Sequence, residues 1–266
     1  MMQIADYYKA QTLQAAYEKL KDDKNNTVIG GGLWLKQVGK PIKTVIDLSA
    51  LNLNQITEDA QYFKVGAFVT LGQLHATKKL HDVTDNLLKI SLENIMGVAF
   101  RNMATLGGSI MGRFAFSDLI PALLVLQAEL EFYHAGRMTL NAFIENKKLD
   151  KDVLLQVLIP KTEGKAYFKK VSNTVLDFSI LNLAIYKTDQ ICIAVGARPG
   201  IAQLVTPMMH YLNSAEISED TISKAIQIGL ETVTLSDNQR AQKSYREQLL
   251  KTYLKRGLKE VMKHDN

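Results

Sequence analysis

Cysteine is all but missing from this chain, which holds one thiol, Cys192, in 266 residues. One thiol forms no internal disulfide and falls short of the four ligands that an iron–sulfur cluster usually takes, so any such cluster sits on another chain. Cys192 lies in the apolar alternation Ile191-Cys192-Ile193-Ala194-Val195, the setting of a buried structural thiol rather than a nucleophile. Long apolar runs are missing too: none approaches the roughly 18 residues that suggest a membrane span, so no membrane partner is expected. The opening Met1-Met2-Gln3-Ile4-Ala5-Asp6 lacks the basic and apolar regions of a signal peptide, and a cytoplasmic location is expected. Blocks of one charge are also lacking. The net charge of +5 comes from Lys and Arg spread along the chain between acids, which disfavours a nucleic-acid partner. No nucleophile or acid–base pair with catalytic spacing stands out.

What is present is an ordinary globular composition, 47% hydrophobic and 22% charged, long enough for a sizeable core and two domains. Two glycine clusters organise it. The first follows a short strand-like run, Thr27-Val28-Ile29, as Gly30-Gly31-Gly32, and leads into Leu33-Trp34. No Gly-Lys-Ser/Thr follows and the G-x-G-x-x-G spacing is absent, so this is neither a P-loop nor a dinucleotide fingerprint. The second, Gly107-Gly108, stands between Thr105 and Ser109. On spacing alone each cluster reads either as a tight turn or as a backbone cradle for an anion, with Ser109 adding a hydroxyl donor. Together the two could clamp a diphosphate from both sides.

The surrounding pattern alternates strands and helices. Thr12 to Lys21 is an amphipathic packing helix, 44–48 a buried strand, and 62–70 a further strand. Thr70 and Gln73 form a capping box that starts the next short helix, and Thr84 with Asp85 should cap another, striped by Leu88, Leu92, Ile95 and Met96. Asp118 reads as the N-cap of a helix from Leu119 to Leu130, apolar on nearly every side until Gln127 and therefore buried. Residues 129–134 and 152–159 read as strands, the second closed by Pro160. Beyond a polar boundary at 161–164, the runs 165–172, 176–186 and 190–197 predict a three-stranded antiparallel meander. Helices finish the chain, one capped by Ser218 and the last cored by Leu250, Leu254, Leu258 and Val261.

Several of these stretches resemble one family over nearly the whole chain. Ala104-Thr105-Leu106-Gly107-Gly108-Ser109-Ile110 with the downstream Asp118-Leu119-Ile120-Pro121, Lys170-Val171-Ser172 with Asp177-Phe178-Ser179, and Asp237-Asn238-Gln239-Arg240-Ala241 with Tyr245-Arg246 are similar to elements of the FAD-binding subunits of molybdenum hydroxylases, the xanthine and carbon-monoxide dehydrogenase family. The first loop departs from the family's Gly-Gly-Thr-Asp/Asn-Leu by losing its polar side chains at Gly32-Leu33-Trp34, and Asn173 and Thr174 stand where the family has arginines. Phe114 and Phe116 replace a small run ahead of Asp118. They are read either as core or as lining of an altered flavin pocket.

The resemblance implies an α+β fold: a two-lobed FAD-binding domain of the PCMH type over residues 1–162, with lobes of about 1–55 and 56–162, then a smaller domain over 163–266. It implies FAD as cofactor, with Ile29, Gly30, Gly31, Gly32, Leu33, Trp34, Thr105, Gly107, Gly108, Ser109 and Asp118 as site residues and Lys170 and Asp177 nearer the flavin. The implied work is electron transfer, from iron–sulfur clusters on a 2Fe-2S subunit that serves a large molybdopterin-binding subunit, through FAD, to NAD+ or another acceptor. Two alternatives differ in class: a scaffold subunit with a degenerate flavin site, and a free-standing flavin oxidoreductase. Oxidases of that broad fold usually carry a covalent-attachment His in the first glycine loop, and residues 29–34 contain none.

Overall fold

A computed structural model describes residues 3–146 and 150–263. The chain forms two compact units: Met1–Ala76, Gly97–Gly112 and Ala128–Pro160 make the first, and Thr77–Met96, Arg113–Gln127 and Lys161–Asn266 the second. Among the described residues no helix is long and apolar enough to cross a membrane.

The first unit holds two sheets. In one, β1 (Ile4–Lys9), β2 (Thr27–Ile29) and β3 (Ile42–Asp47) run parallel in the order β1-β3-β2. Parallel strands need crossover connections, and the helix Leu13–Asp22 carries the chain from β1 to β2 on the opposite edge of β3. Its start is fixed by Thr12, whose hydroxyl accepts from the Ala15 N–H at 3.1 Å, and its Ala16 and Leu20 are buried with Ile46 and Leu48 of the sheet side. The other sheet is antiparallel and ordered β4 (Ile56–Glu58), β5 (Tyr62–Gly66), β8 (Leu154–Pro160), β6 (Glu129–Phe132), β7 (Gly136–Thr139). The expected capping box closes reciprocally after β5, with the Thr70 hydroxyl accepting from the Gln73 N–H and Gln73 Oε1 from the Thr70 N–H.

The second unit is built on one antiparallel sheet in the order β12-β11-β10-β9, from β9 (Lys165–Val171), β10 (Leu181–Lys187), β11 (Ile191–Gly196) and β12 (Gln203–Leu204). The expected meander is there, and the two-residue β12 adds a fourth strand. Every residue of β11 is buried because both faces are covered. Leu183, Ile185, Ile193 and Val195 pack with Leu250, Leu254 and Leu258 of the helix Lys243–Met262, each such side chain contributing about 1.5–3 kcal/mol. The helix Leu119–Val125 covers β10 and β11 as well.

Three sequence expectations are corrected here. The apolar helix ends at Val125 rather than Leu130, because Gln127 turns through a positive φ of 55° and Glu129 opens β6. Asp118 stands at its N-cap position without a capping bond, and the Ser117 hydroxyl accepts from the Ile120 N–H instead. Thr84 and Asp85 cap nothing: the Thr84 hydroxyl donates back to the Leu80 carbonyl, Asp85 accepts from the Ala166 N–H, and the helix Leu87–Glu93 starts after Asn86 in a left-handed conformation.

Candidate functional site

Strand β2 carries the chain into Gly30-Gly31-Gly32, then a turn at Leu33-Trp34 and the short helix Leu35–Val38. Close approach dictates the first two glycines: a Cβ on Gly30 would overlap the Thr105 hydroxyl, and one on Gly31 the Met103 carbonyl oxygen. Gly32 adopts a positive φ of 73°, which glycine takes without steric cost. The first glycine cluster is thus packed against Met103, Ala104 and Thr105, the residues that lead into the second. Among the described residues, the N–H groups of Gly31, Gly32 and Leu33 have no acceptor. Successive backbone donors of this kind make an anion site.

The second cluster behaves differently, because its backbone donors bond within the protein. Gly107 and Gly108 sit in the first turn of the helix Leu106–Met111, not in a turn that presents N–H groups outward. The Leu106 N–H donates to the Val69 carbonyl and the Gly107 N–H to the Ala67 carbonyl, both at 2.8 Å, while the Ser109 N–H donates to the Thr105 carbonyl at 3.0 Å. The Gly108 N–H is taken by the Thr105 hydroxyl at 3.2 Å, so Thr105 is the helix cap. Ser109 offers no free hydroxyl proton: it donates to the Thr105 carbonyl at 2.9 Å and accepts from the Trp34 indole N–H at 3.1 Å.

Beside these loops lies a cavity of about 230 Å³, lined by Asn26, Val28, Gly30, Thr105, Gly107 and Gly108 among others. Asn26 is 1% exposed. Its Nδ2 donates to the Lys19 carbonyl at 2.7 Å, which fixes the amide orientation, and its Oδ1 has no partner. An unsatisfied buried acceptor costs about 1–3 kcal/mol, and this one is closed off from the open surface of the cavity.

In the second unit the structure joins Asp118 to Lys170. Their charged atoms lie 3.1 Å apart, with side chains 5% and 11% exposed. Asn182 donates to Asp118 at 2.6 Å, Ser179 donates to the same oxygen, and the Lys170 ammonium also reaches the Asn94 carbonyl at 2.9 Å. Burial pushes the Asp118 carboxyl up, and the Lys170 charge with these donors pulls it back. Removing one partner of such a pair is strongly destabilising, by about 3–5 kcal/mol. Asp177 is held elsewhere, by Arg240 at 2.8 Å to both oxygens, and its carboxyl is lowered by the Phe178 N–H bond and by Arg240. Phe114 stacks on Phe116, Phe116 packs against Phe178 at a tilt of 37°, and the Arg240 guanidinium covers Phe178. The two rings are half-buried members of that stack.

With this geometry in hand, two family profiles match the chain: the FAD binding domain in molybdopterin dehydrogenase over residues 2–162, and the CO dehydrogenase flavoprotein C-terminal domain over 166–261. An uncharacterised protein, YgfM of Escherichia coli K12, is 23% identical over 195 residues, which cover 70% of this chain and 71% of that protein. Among solved structures, a chain of quinoline 2-oxidoreductase from Pseudomonas putida 86 superposes with a TM-score of 0.85 at 23% identity, covering 97% of this chain and 96% of that one. A chain of CO dehydrogenase from Oligotropha carboxidovorans gives 0.88 at 16% identity, with 98% of each chain covered. These likenesses show the α+β fold.

Proposed function

The chain belongs to the FAD-binding domain family of molybdopterin dehydrogenases, and from that premise we propose that it passes electrons from iron–sulfur clusters on a partner subunit to NAD+ or another acceptor. It is an FAD-binding oxidoreductase subunit. The bound flavin supplies the redox chemistry, which is why the chain needs no nucleophile or acid–base pair of its own. What its residues do is bind and orient. The N–H groups of Gly31, Gly32 and Leu33 would hold the diphosphate oxygens, and this set of unspent donors is the observation that carries the reading. The adjoining cavity, lined by Val28, Gly30, Thr105 and Gly108, would take the adenosine end. Ile29 and Trp34 flank the cradle, while Thr105, Gly107, Gly108 and Ser109 form the floor on which it rests.

The partners follow from the family. A 2Fe-2S subunit and a large molybdopterin-binding subunit would complete the cytoplasmic enzyme, and the single buried thiol of this chain agrees with the clusters lying on a partner. Without a histidine in residues 29–34 the flavin is held non-covalently. Equilibrium titration of the purified chain should show saturable FAD binding, acid precipitation should release yellow flavin, and affinity purification from the native host should recover both partner subunits. A chain that binds no FAD in titration overturns the flavin reading. A homo-oligomer that lacks both partners and oxidises an organic substrate by itself overturns the subunit reading.

A further inference from the structure

The first glycine loop offers almost no side-chain chemistry. Gly30 to Trp34 carries no hydroxyl, carboxylate or amide side chain, and the one polar side-chain atom is Nε1 of Trp34. That N–H donates to Ser109 Oγ at 3.1 Å across 75 positions of sequence. Ser109 in turn donates to the Thr105 carbonyl at 2.9 Å, and the Thr105 hydroxyl holds the Gly108 N–H at 3.2 Å. The indole is braced on its other side by Phe100, edge to face with ring centroids 5.0 Å apart. It also lies close over Gly108, where a Cβ would come within 3.7 Å of Trp34 Cδ1.

We propose that Trp34 is a positioning residue for the cofactor: through Ser109 its indole N–H ties the first glycine loop to the second and thereby fixes the Gly31, Gly32 and Leu33 donors in one arrangement. This rests on the reading that those donors take the FAD diphosphate. The loop is pinned at its start by Gly30 and Gly31 packing on Thr105 and Met103, and the donors come directly before Trp34. Pinning both ends removes the ordering cost that a short glycine run otherwise meets on binding. Trp34 therefore acts through the backbone rather than by touching the diphosphate, and Ser109 acts through Trp34.

The test measures affinities of the full chain for FAD, for ADP and for adenosine, which lacks the diphosphate, by calorimetric titration. Trp34→Phe keeps the ring contact with Phe100 and removes the N–H. It should weaken FAD and ADP about tenfold and leave adenosine unchanged, with Ser109→Ala giving the same loss and the double variant no further loss. Trp34 is the only tryptophan, so ADP should also shift the emission of the wild-type chain while adenosine does not. If FAD and ADP bind Trp34→Phe and Ser109→Ala as tightly as wild type, the positioning role is overturned and the flavin reading stands. If adenosine falls in step with ADP, the residue merely supports the fold, and the proposal is again overturned. A wild-type chain that binds neither FAD nor ADP overturns both readings.

Discussion

Gly30-Gly31-Gly32 and Gly107-Gly108 look alike in the sequence, yet they do opposite things with their backbone donors. The first cluster leaves Gly31 and Gly32, with Leu33, unpaired, whereas the second spends Gly107 on the Ala67 carbonyl and Gly108 on the Thr105 hydroxyl. Glycine is needed in both, for different reasons. In the first it permits a positive φ at Gly32 and close contact with the Met103 carbonyl and the Thr105 hydroxyl. In the second it lets a helix start press on the Ala67 backbone. A glycine pair therefore signals close approach, and only the hydrogen-bond inventory separates a ligand cradle from the floor beneath it.

Substitutions by alanine sharpen the contrast, since each adds one methyl group at a known place. The largest effect is expected at Gly31, where the new Cβ overlaps a backbone oxygen that cannot rotate away. Gly31→Ala should cost about 3 kcal/mol by overpacking, read as a lower urea midpoint, and should abolish FAD binding. At Gly107 the Cβ comes within 2.8 Å of the Ala67 carbonyl oxygen. Gly107→Ala should cost about 1–2 kcal/mol, since helix propensity offsets part of the clash, and the folded variant should keep its FAD affinity. Equal loss of affinity in Gly107→Ala and Gly31→Ala would break the distinction between cradle and floor.

Gly32 has room, its nearest atom being Ile29 Cδ1 at 3.4 Å, but an L-residue is strained at its φ. Gly32→Ala should cost about 1 kcal/mol in denaturation and weaken FAD measurably in titration. The smallest effect belongs to Gly108, whose Cβ would meet Thr105 Oγ1 at 3.1 Å within a helix. There the gain in helix propensity and the tight contact should cancel to within about 0.5 kcal/mol, with FAD affinity unchanged.

The elements that sequence made legible are those whose own side chains carry the signal. Thr12 and Ser218 cap helices, Thr70 and Gln73 close a box, and Leu250, Leu254 and Leu258 line a core. Strand β1 was not legible, because all but one of its residues are exposed and no apolar alternation marks them. Its pairing with β3 comes from backbone hydrogen bonds that any residue supplies. Asp118 was misread for a related reason. A cap is a local bond, but a buried carboxylate is claimed by whichever donors the fold brings, here Lys170, Ser179 and Asn182 from 52 to 64 positions away.

Composition and local pattern thus determined, without coordinates, that the chain folds around apolar sheets and helices, that it cannot ligate a cluster with its single cysteine, and that two glycine clusters matter. Tertiary structure alone decided which cluster keeps its donors, that Trp34 bonds to Ser109, and that Asn26 is left with a buried acceptor. The physical reason is that propensity and periodicity are properties of neighbours along the chain. The partner of a buried polar atom is instead set by which distant backbone the packed core holds against it.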